Sequence, residues 1–525
     1  MRVLLLYPKM PPSFWSLAES CKLLKRQTLM PPLGLITAAA LLPPEWELRL
    51  ADLNTRRVTE ADWHWAEMVM ISGMLVQRDG LLALIREAKQ RGKTVVVGGP
   101  YPTSVPQEPL DAGVDFLIQG EGENNIPLFL AALKEGKKQG VFQHKNKPDL
   151  SESPVPRFDL LNFDHYIDLS IQTSRGCPFD CEFCDVVNLY GRKPRYKNPQ
   201  QVLTELETLF RLGWRGEVFI SDDNFIGNQT HARAILDKLI PWMKEHGEPF
   251  SFWTQTSVDL GLKPQLVDRM TAANFGHIFI GIESPDEQVL TLSRKYQNVK
   301  NPLDQSLSNI TANGLSVVAS FIIGFDHEKP GAGERICAFV EENNIPLVML
   351  NTLEVLPNTS LWDRLHQEGR LLTTRTRGNC AGGALNYLPT RPEAEIIGEY
   401  VAAIDRLYEP RNYLGRAYRC FLAIRPTRRF TALQKGGKDR GRVKKALPPL
   451  KERFRELTGL LKLLWRQGVV ADYRWQFWKQ FLGIYRKNPS RLKKYLISCG
   501  FGENMFRVRE ELLKECRAAE ILRRS

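Results

Sequence analysis

Cys177, Cys181 and Cys184 lie within eight positions of one another in the stretch SRGCPFDCEFCD, residues 174–185, of a 525-residue chain that has nine cysteines in all. Thiols at this spacing hold metal, and their number decides which metal. A structural zinc ion takes four protein ligands, usually from two separated C-x-x-C pairs or from cysteine with histidine, and nothing near this stretch offers a second pair or a histidine partner. A ferredoxin-type electron carrier needs a fourth cysteine, and none lies close by. A four-iron cluster on three cysteinates leaves one iron without a protein ligand, open to a substrate or cosubstrate. The spacing therefore points to a [4Fe–4S] cluster whose open iron does the chemistry.

The other six cysteines, Cys21, Cys337, Cys380, Cys420, Cys499 and Cys516, are scattered without a pairing rhythm, which argues for a reducing compartment, the cytoplasm. The opening MRVLLLYPKMPP has an apolar run too short for a signal-peptide core and no small-residue cleavage site, so it reads as a first β-strand. No stretch approaches the roughly 18 uninterrupted apolar residues that a spanning helix requires. Length and composition, 43% hydrophobic and 25% charged, fit two or three domains with cores of their own.

Several elements must position the thiols. Over residues 1–135 the runs VLLLYP, ELRLADLN, MVMISGM, TVVVGGP and DFLIQGEGE are separated by crossover-length segments, the pattern of a parallel sheet buried on both faces. Five such strands predict a flavodoxin-like doubly wound domain, in which a ligand sits beyond the carboxyl ends of the strands. Those ends supply Ser72 and Gly73, then Gly98, Gly99 and Pro100, then Gly120, Glu121, Gly122 and Glu123. Glycines there admit a large flat molecule to the backbone, or are ordinary turns. No G-x-G-x-x-G follows the first strand, so a dinucleotide is not expected.

Residues 136–168, rich in Pro, Lys and Ser, read as a linker. Over 169–365 six more strands, SIQTSRG, EVFISDDN, SFWTQTS, IFIGIES, SVVASFIIGF and PLVMLNTLEVLP, alternate with amphipathic stretches such as PQQVLTELETLFRLG. Six units make an open partial (β/α)6 barrel, active at the carboxyl ends of its strands, and the cysteines begin just after the first. Residues 366–430 read as helical and 431–525 as a basic helical tail. The fold class is thus α/β, two parallel-sheet domains followed by a mainly helical C-terminal region.

C-x-x-x-C-x-x-C on the loop after the first strand of a partial barrel resembles the radical S-adenosylmethionine enzymes over about residues 165–365. That resemblance implies a [4Fe–4S] cluster on Cys177, Cys181 and Cys184, with S-adenosylmethionine chelating the open iron, and a flavodoxin or ferredoxin-type electron donor. It implies that Phe183 lies near the adenine, that a residue among Asp222, Asp223 and Asn224 holds the cosubstrate's amino group, and that Glu283 contacts the ribose. Ser257, after the third strand, joins these contacts, and Arg192 in YGRKPRYKNPQQ, with Lys193, Arg195 and Lys197 near it, stands to pair with the carboxylate. A solvated basic loop is the alternative for that stretch.

With the doubly wound domain in front, the whole chain resembles the cobalamin-binding radical enzymes, and GGPYPTSVPQE and GEGE look like that group's corrinoid-domain loops. Many cobalamin proteins bind the cobalt through the histidine of a D-x-H-x-x-G motif after the first strand, but here that loop, YPKMPPSFW, has no histidine, and His64, with Asp62 and Glu67 in DWHWAE, precedes the third strand and lacks the motif's glycine. The resemblance is closest to the methylases acting on hopanoid lipids and on bacteriochlorophyll side chains, to whose C-terminal region NYLPTRPEAEIIGEYVAAIDRLYEPRNYLGR is similar. It implies C-methylation of an unactivated sp³ carbon on a hydrophobic polycyclic small molecule, lipid or tetrapyrrole. Other readings are a radical enzyme that performs cyclisation, rearrangement or methylthiolation, and a cobalamin-dependent regulatory protein.

Charge is uneven. Residues 411–525 hold 30 Lys and Arg against 9 Asp and Glu, a net +21, within a chain whose total is +13. In this tail Phe454, Leu457, Leu461, Leu464 and Trp465 recur at helical spacing beside Lys462, Arg466, Arg474 and Lys479. Such a face either touches a membrane surface peripherally or packs on the barrel with its charges solvated. No nucleic-acid motif accompanies it, and nucleic acid is not expected as a partner.

Overall fold

The computed structural model describes residues 1–13, 16–372, 385–434 and 446–524. Cys380 and, in the first loop, Phe14 and Trp15 lie outside the described residues.

The N-terminal strands are β1 (Arg2–Tyr7), β2 (Glu47–Asp52), β3 (Met68–Ser72), β4 (Thr94–Gly98), β5 (Phe116–Ile118) and β6 (Gly140–Phe142), all parallel in the order β2-β1-β3-β4-β5-β6. Side chains alternate across a strand, so the run Val3–Leu6 serves two cores. Val3 and Leu5 join Met68, Val96 and Phe116 on one face, while Leu4 and Leu6 join Val69, Val95 and Val97 on the other. Strand β6 corrects the expected linker: it opens the stretch 136–168 and pairs with β5. The rest of that stretch is anchored too, since Leu150, Phe158 and Tyr166 are buried and the Tyr166 hydroxyl donates to Asp52 at 3.0 Å.

After β7 (Asp168–Ile171) the chain forms a small antiparallel clip, β8 (Ser174–Arg175) with β9 (Arg195–Tyr196). It then continues through β10 (Glu217–Ile220), β11 (Ser251–Gln255), β12 (Phe275–Glu283), β13 (Ser316–Ile323) and β14 (Leu347–Thr352). These strands and β7 form the second parallel sheet, in the order β14-β13-β12-β11-β10-β7, the expected six-unit partial barrel. The helix Pro199–Arg211 shows how the sequence dictates its units. Asn198 caps it with a reciprocal Gln201 contact, Pro199 occupies the first turn, and Val202, Leu206 and Leu209 line its buried face.

The C-terminal helices close the far end of this barrel. Lys494, from the helix Leu492–Arg524, reaches Glu217 at 3.3 Å, and Glu217 lies 3.7 Å from His277, whose pKa burial pushes down to about 4. Trp253 donates to Asp168 at 3.0 Å beside them. The same helix meets the short helix Ala18–Leu23 of the first domain, where Ser20 donates to the Gly500 carbonyl at 3.2 Å. Much of the expected tail is therefore integral to the fold. No described helix is long and apolar enough to cross a membrane.

The two sheets meet at their carboxyl ends across a buried ion-pair network. Arg175 of β8 contacts Glu121 at 2.8 Å and Glu123 at 2.9 Å, and Arg195 of β9 contacts Glu121 at 2.8 Å. Both glutamate side chains are only 4% exposed, so the arginines replace the water that those carboxylates gave up. Burial alone would raise the Glu123 pKa, but Arg175 outweighs it and holds the carboxyl below its ordinary 4.5. Arg175→Met should therefore cost about 3–5 kcal/mol, seen as a lower urea midpoint. Because the folded pKa of Glu123 is depressed, its contribution is present above the ordinary value and is lost as pH falls through and below about 4.5. Glu123→Gln should flatten the wild-type loss of stability over that acidic range.

Candidate functional site

The cysteine loop is held at both ends. It leaves β8, returns through β9, and is pinned where Cys177 N donates to the Gly191 carbonyl at 3.3 Å. Gly176 has φ +98°, and a Cβ there would lie 2.7 Å from Gly191 O, so no larger residue fits the start of the loop. The middle is tied down by Glu182, which donates its N–H to Ser293 O at 3.1 Å and pairs with Arg364 at 3.0 Å. Cys184 N donates to Cys181 O at 3.2 Å in a turn that gathers the last two thiols. Gln297 approaches Cys181 Sγ at 3.6 Å. Burial pushes the Cys177 thiol up to about 11 and the Cys184 thiol higher still, so both are neutral until a metal claims them.

The strand ends around the loop carry the other expected residues. After β10, Asp222 is spent on structure: its carboxylate accepts from the backbone and hydroxyl groups of both Thr173 and Ser174. Asp223 differs. One oxygen accepts from Gly176 N at 2.9 Å, no hydrogen bond from the described residues reaches the other, and burial pushes its pKa up to about 7. Asn224 locks to Ser257, accepting from its N–H at 3.2 Å and donating to its hydroxyl at 3.1 Å. Glu283, at the end of β12, is buried with a left-handed φ of +67° and pairs with Lys295 at 2.7 Å. It is no surface carboxylate. Gly281 makes room, since a Cβ there would meet the Glu283 carboxylate at 2.3 Å. A non-glycine residue in that conformation costs about 1–3 kcal/mol, a strain typical of functional sites.

Phe183 faces the same space, edge-on to Phe325 at 5.6 Å, with the Lys295 ammonium 5.8 Å from its ring. Of the four cations in YGRKPRYK, Arg195 belongs to the interdomain network and Lys197 is buried against Glu205. Arg192 is 60% exposed and lies 3.5 Å from Asp180 of the cysteine loop.

Opposite the loop, the first domain offers its own strand ends. Ser72 and Gly73 pack against Gly98 and Gly99: a Cβ at Gly99, where φ is +103°, would lie 2.5 Å from Ser72 Oγ. Pro100 starts the short helix Pro100–Ser104, and Gly120 N donates to Thr103 Oγ1 at 2.9 Å. Gly122 opens the helix Gly122–Lys134, while Glu121 and Glu123 are committed to the arginines. His64 lies on the short helix Glu60–Trp65 that leads into the amino end of β3, exposed, with its ring nitrogen 2.7 Å from Glu60 O.

The residues fit an iron–sulfur cluster and its cosubstrate. Among the described residues no three His, Cys, Asp or Glu side chains converge on a point suited to one metal ion. A four-iron cube sets each cysteinate on a different iron, so its three sulfurs need not converge. Beside them the buried Gln297 Oε1 and the Thr256 hydroxyl at the end of β11 lack partners, polar atoms that a bound polar molecule can satisfy. Sequence reasoning missed Lys295 and Gln297, and it missed the arginine network. The signal was present in LSRKYQN, where a cation and an amide follow a strand ending in glutamate.

Sequence models of three families match the chain: a B12 binding domain over residues 21–130, the radical SAM superfamily over 171–340, and a domain of unknown function over 359–518. The fold is similar to that of a cobalamin-dependent S-adenosylmethionine radical enzyme, OxsB, solved with aqua-cobalamin and S-adenosylmethionine, at a TM-score of 0.59 and 17% identity, covering 98% of this chain and 80% of that one. These features define a B12-binding radical SAM protein. The chain is 48% identical to an uncharacterized methyltransferase of Synechocystis sp., covering 98% of this chain and 93% of that one. It is 33% identical to the hopanoid C-2 methylase of Rhodopseudomonas palustris, covering 91% of this chain and 88% of that one. The chain belongs to the cobalamin-binding radical S-adenosylmethionine methyltransferases. It is an enzyme whose cofactors are a [4Fe–4S] cluster, S-adenosylmethionine and cobalamin, and it requires an external reductant.

The two adjacent aspartates should respond differently to substitution. Asp222→Ala strands four buried donors and should lower stability by about 3–5 kcal/mol in chemical unfolding. Asp223→Asn keeps an acceptor for Gly176 and should leave the unfolding midpoint near wild type.

Proposed function

We propose that the chain methylates an unactivated sp³ carbon of a hydrophobic polycyclic small molecule, a hopanoid-type lipid or a tetrapyrrole. The observation that carries this reading is the 33% identity to the hopanoid C-2 methylase, aligned over 483 residues. The two cofactor-domain matches together span far fewer positions, so the likeness is more than shared cofactor machinery.

In this reading Cys177, Cys181 and Cys184 hold the cluster. Asp223, with its free oxygen, receives the cosubstrate's ammonium, a cation that would draw the carboxyl below its raised value. Phe183 and Lys295 bound the same pocket, Glu283 is directed toward the ribose through its strained backbone, and Arg192 is the cation available to the carboxylate. When bound, the three cofactors supply hydrogen removal from an unreactive C–H bond and methyl delivery to that carbon, chemistry beyond any side chain. The protein supplies orientation and exclusion of water between its two facing sheets. Ser72, Gly73, Gly98, Gly99, Pro100 and the Gly120 to Glu123 turn would hold the cobalamin, to whose cobalt no protein histidine is expected to bind. The enzyme works in the cytoplasm with a flavodoxin or ferredoxin-type donor and contacts the membrane periphery.

Comparison of lipid and pigment extracts from a deletion strain and wild type by mass spectrometry tests the substrate class. The expected result is loss of one polycyclic product and build-up of a precursor one methylene lighter; any other mass difference refutes it. Anaerobic reconstitution should load one cluster per chain by iron counting and electron paramagnetic resonance. Cys181→Ala should abolish that loading, and zinc uptake in its place would overturn the assignment. Chain loaded with hydroxocobalamin should keep its corrinoid spectrum in His64→Ala.

A further inference from the structure

The helix Leu450–Trp465 turns one face to the protein and the other to solvent. On the inner face Leu463 is buried, Gly459 backs onto the Leu23 carbonyl, and Arg455 pairs with Asp164 at 2.8 Å. On the outer face Leu450, Phe454, Leu457, Leu461 and Trp465 are 79%, 63%, 51%, 57% and 62% exposed. At 100° per residue these five fall within an arc of about 80°. Isolated apolar residues on a surface need no explanation, but a row of five large ones along a single stripe does. Leu464, which the sequence pattern grouped with this row, packs inward instead.

More exposed apolar residues follow in sequence. Val469 and Val470, just past the helix, are exposed. The next helix, Arg474–Lys487, buries Phe477, Gln480 and Ile484 and exposes Trp475, Leu482 and Tyr485. Arg453 and Lys462 flank the first row on either side, and Lys479, Arg486 and Lys487 lie along the second helix. None of these five cations has an ion-pair partner among the described residues, while Arg26, Arg455 and Lys494 nearby all do.

Charge selects the occupant. A second copy of the chain, docked by the same face, would bring unpaired cations against unpaired cations. Nucleic acid would satisfy the cations and leave leucines facing phosphate. An anionic bilayer satisfies both: apolar side chains enter the acyl boundary, cations meet headgroups, and Trp465 and Trp475 sit where tryptophan is most stable. We infer that the outer face of Leu450–Trp465, with its flanking cations, docks the enzyme on an anionic lipid bilayer. The purpose of this docking, delivery of a substrate that resides in the membrane, rests on the proposed polycyclic substrate; the docking itself rests on the face.

The test is flotation of the full-length enzyme with phosphatidylcholine vesicles, with and without phosphatidylglycerol, at low and high salt. Co-flotation is expected only with phosphatidylglycerol, weakening as salt rises. The double variant Leu457→Glu and Leu461→Glu should cut the floated fraction about tenfold. Its circular dichroism and reductive cleavage of S-adenosylmethionine should stay at wild-type levels, which separates lost docking from lost folding. Failure of wild type to float, or equal flotation of the variant, overturns the inference. So does a wild-type dimer that the variant converts to monomer without any vesicle binding. An enzyme that floats but methylates a water-soluble compound loses the substrate reading and keeps the docking face. One that methylates a polycyclic compound and never floats loses the docking face alone.

Discussion

Two arginines bridging two buried glutamates fix the geometry on which every other feature depends. Arg175 and Arg195 lie on the strands that open and close the cysteine loop, and Glu121 and Glu123 lie at the start of the helix that follows β5. A buried charge without its partner is costly, so the mouths of the two sheets cannot separate freely. The network therefore couples the register of the cysteine loop to the position of the first domain. Chemistry shared between two large cofactors demands such coupling, because the reacting atoms must stay within contact distance without a covalent tether.

Within the barrel mouth, rigidity comes from a different source. Asp222 ties together the Thr173 and Ser174 segment below the loop, and Glu182 ties its far side to Ser293 and Arg364. Glu283 is held in a strained conformation by Lys295 and by the room that Gly281 leaves. These contacts consume hydrogen-bonding capacity that a cofactor would otherwise use. Among the described residues, what stays unspent around the site includes one oxygen of Asp223, Gln297 Oε1, Asn298 Oδ1 and the Thr256 hydroxyl. Such economy suits a site that accepts a small polar molecule in one orientation.

Both parallel sheets were legible in the sequence because short apolar-rich runs, some continuous like β1 and some alternating like β2 and β13, are spaced by helix-length segments, and all eleven runs became strands. The cysteine loop was legible because thiol spacing is local. Strand β6 was not: three residues, Gly140–Phe142, inside a polar stretch carry too little pattern to register. The role of GEGE was only half legible. Its glutamates read as loop residues near a cofactor, but their partners lie 52, 54 and 74 positions away, and no local pattern announces a pairing at that distance. The same limit hid Asp222, whose neighbours Thr173 and Ser174 are contributed by another strand end.

The C-terminal region shows how one composition can serve two ends. Its basic residues were legible as a total but not as a distribution. Arg416 is fully buried and reaches Glu341 at 2.6 Å, Arg491 donates to the Arg425 carbonyl, and Lys494 enters the barrel floor. Those cations stabilise the fold by satisfying carboxylates and carbonyls that the barrel leaves exposed at its closed end. The cations beside the exposed apolar row make no such contacts among the described residues. A single net charge therefore divides into a structural part, buried and paired, and a surface part that keeps its field, and only the surface part can act on a partner outside the molecule.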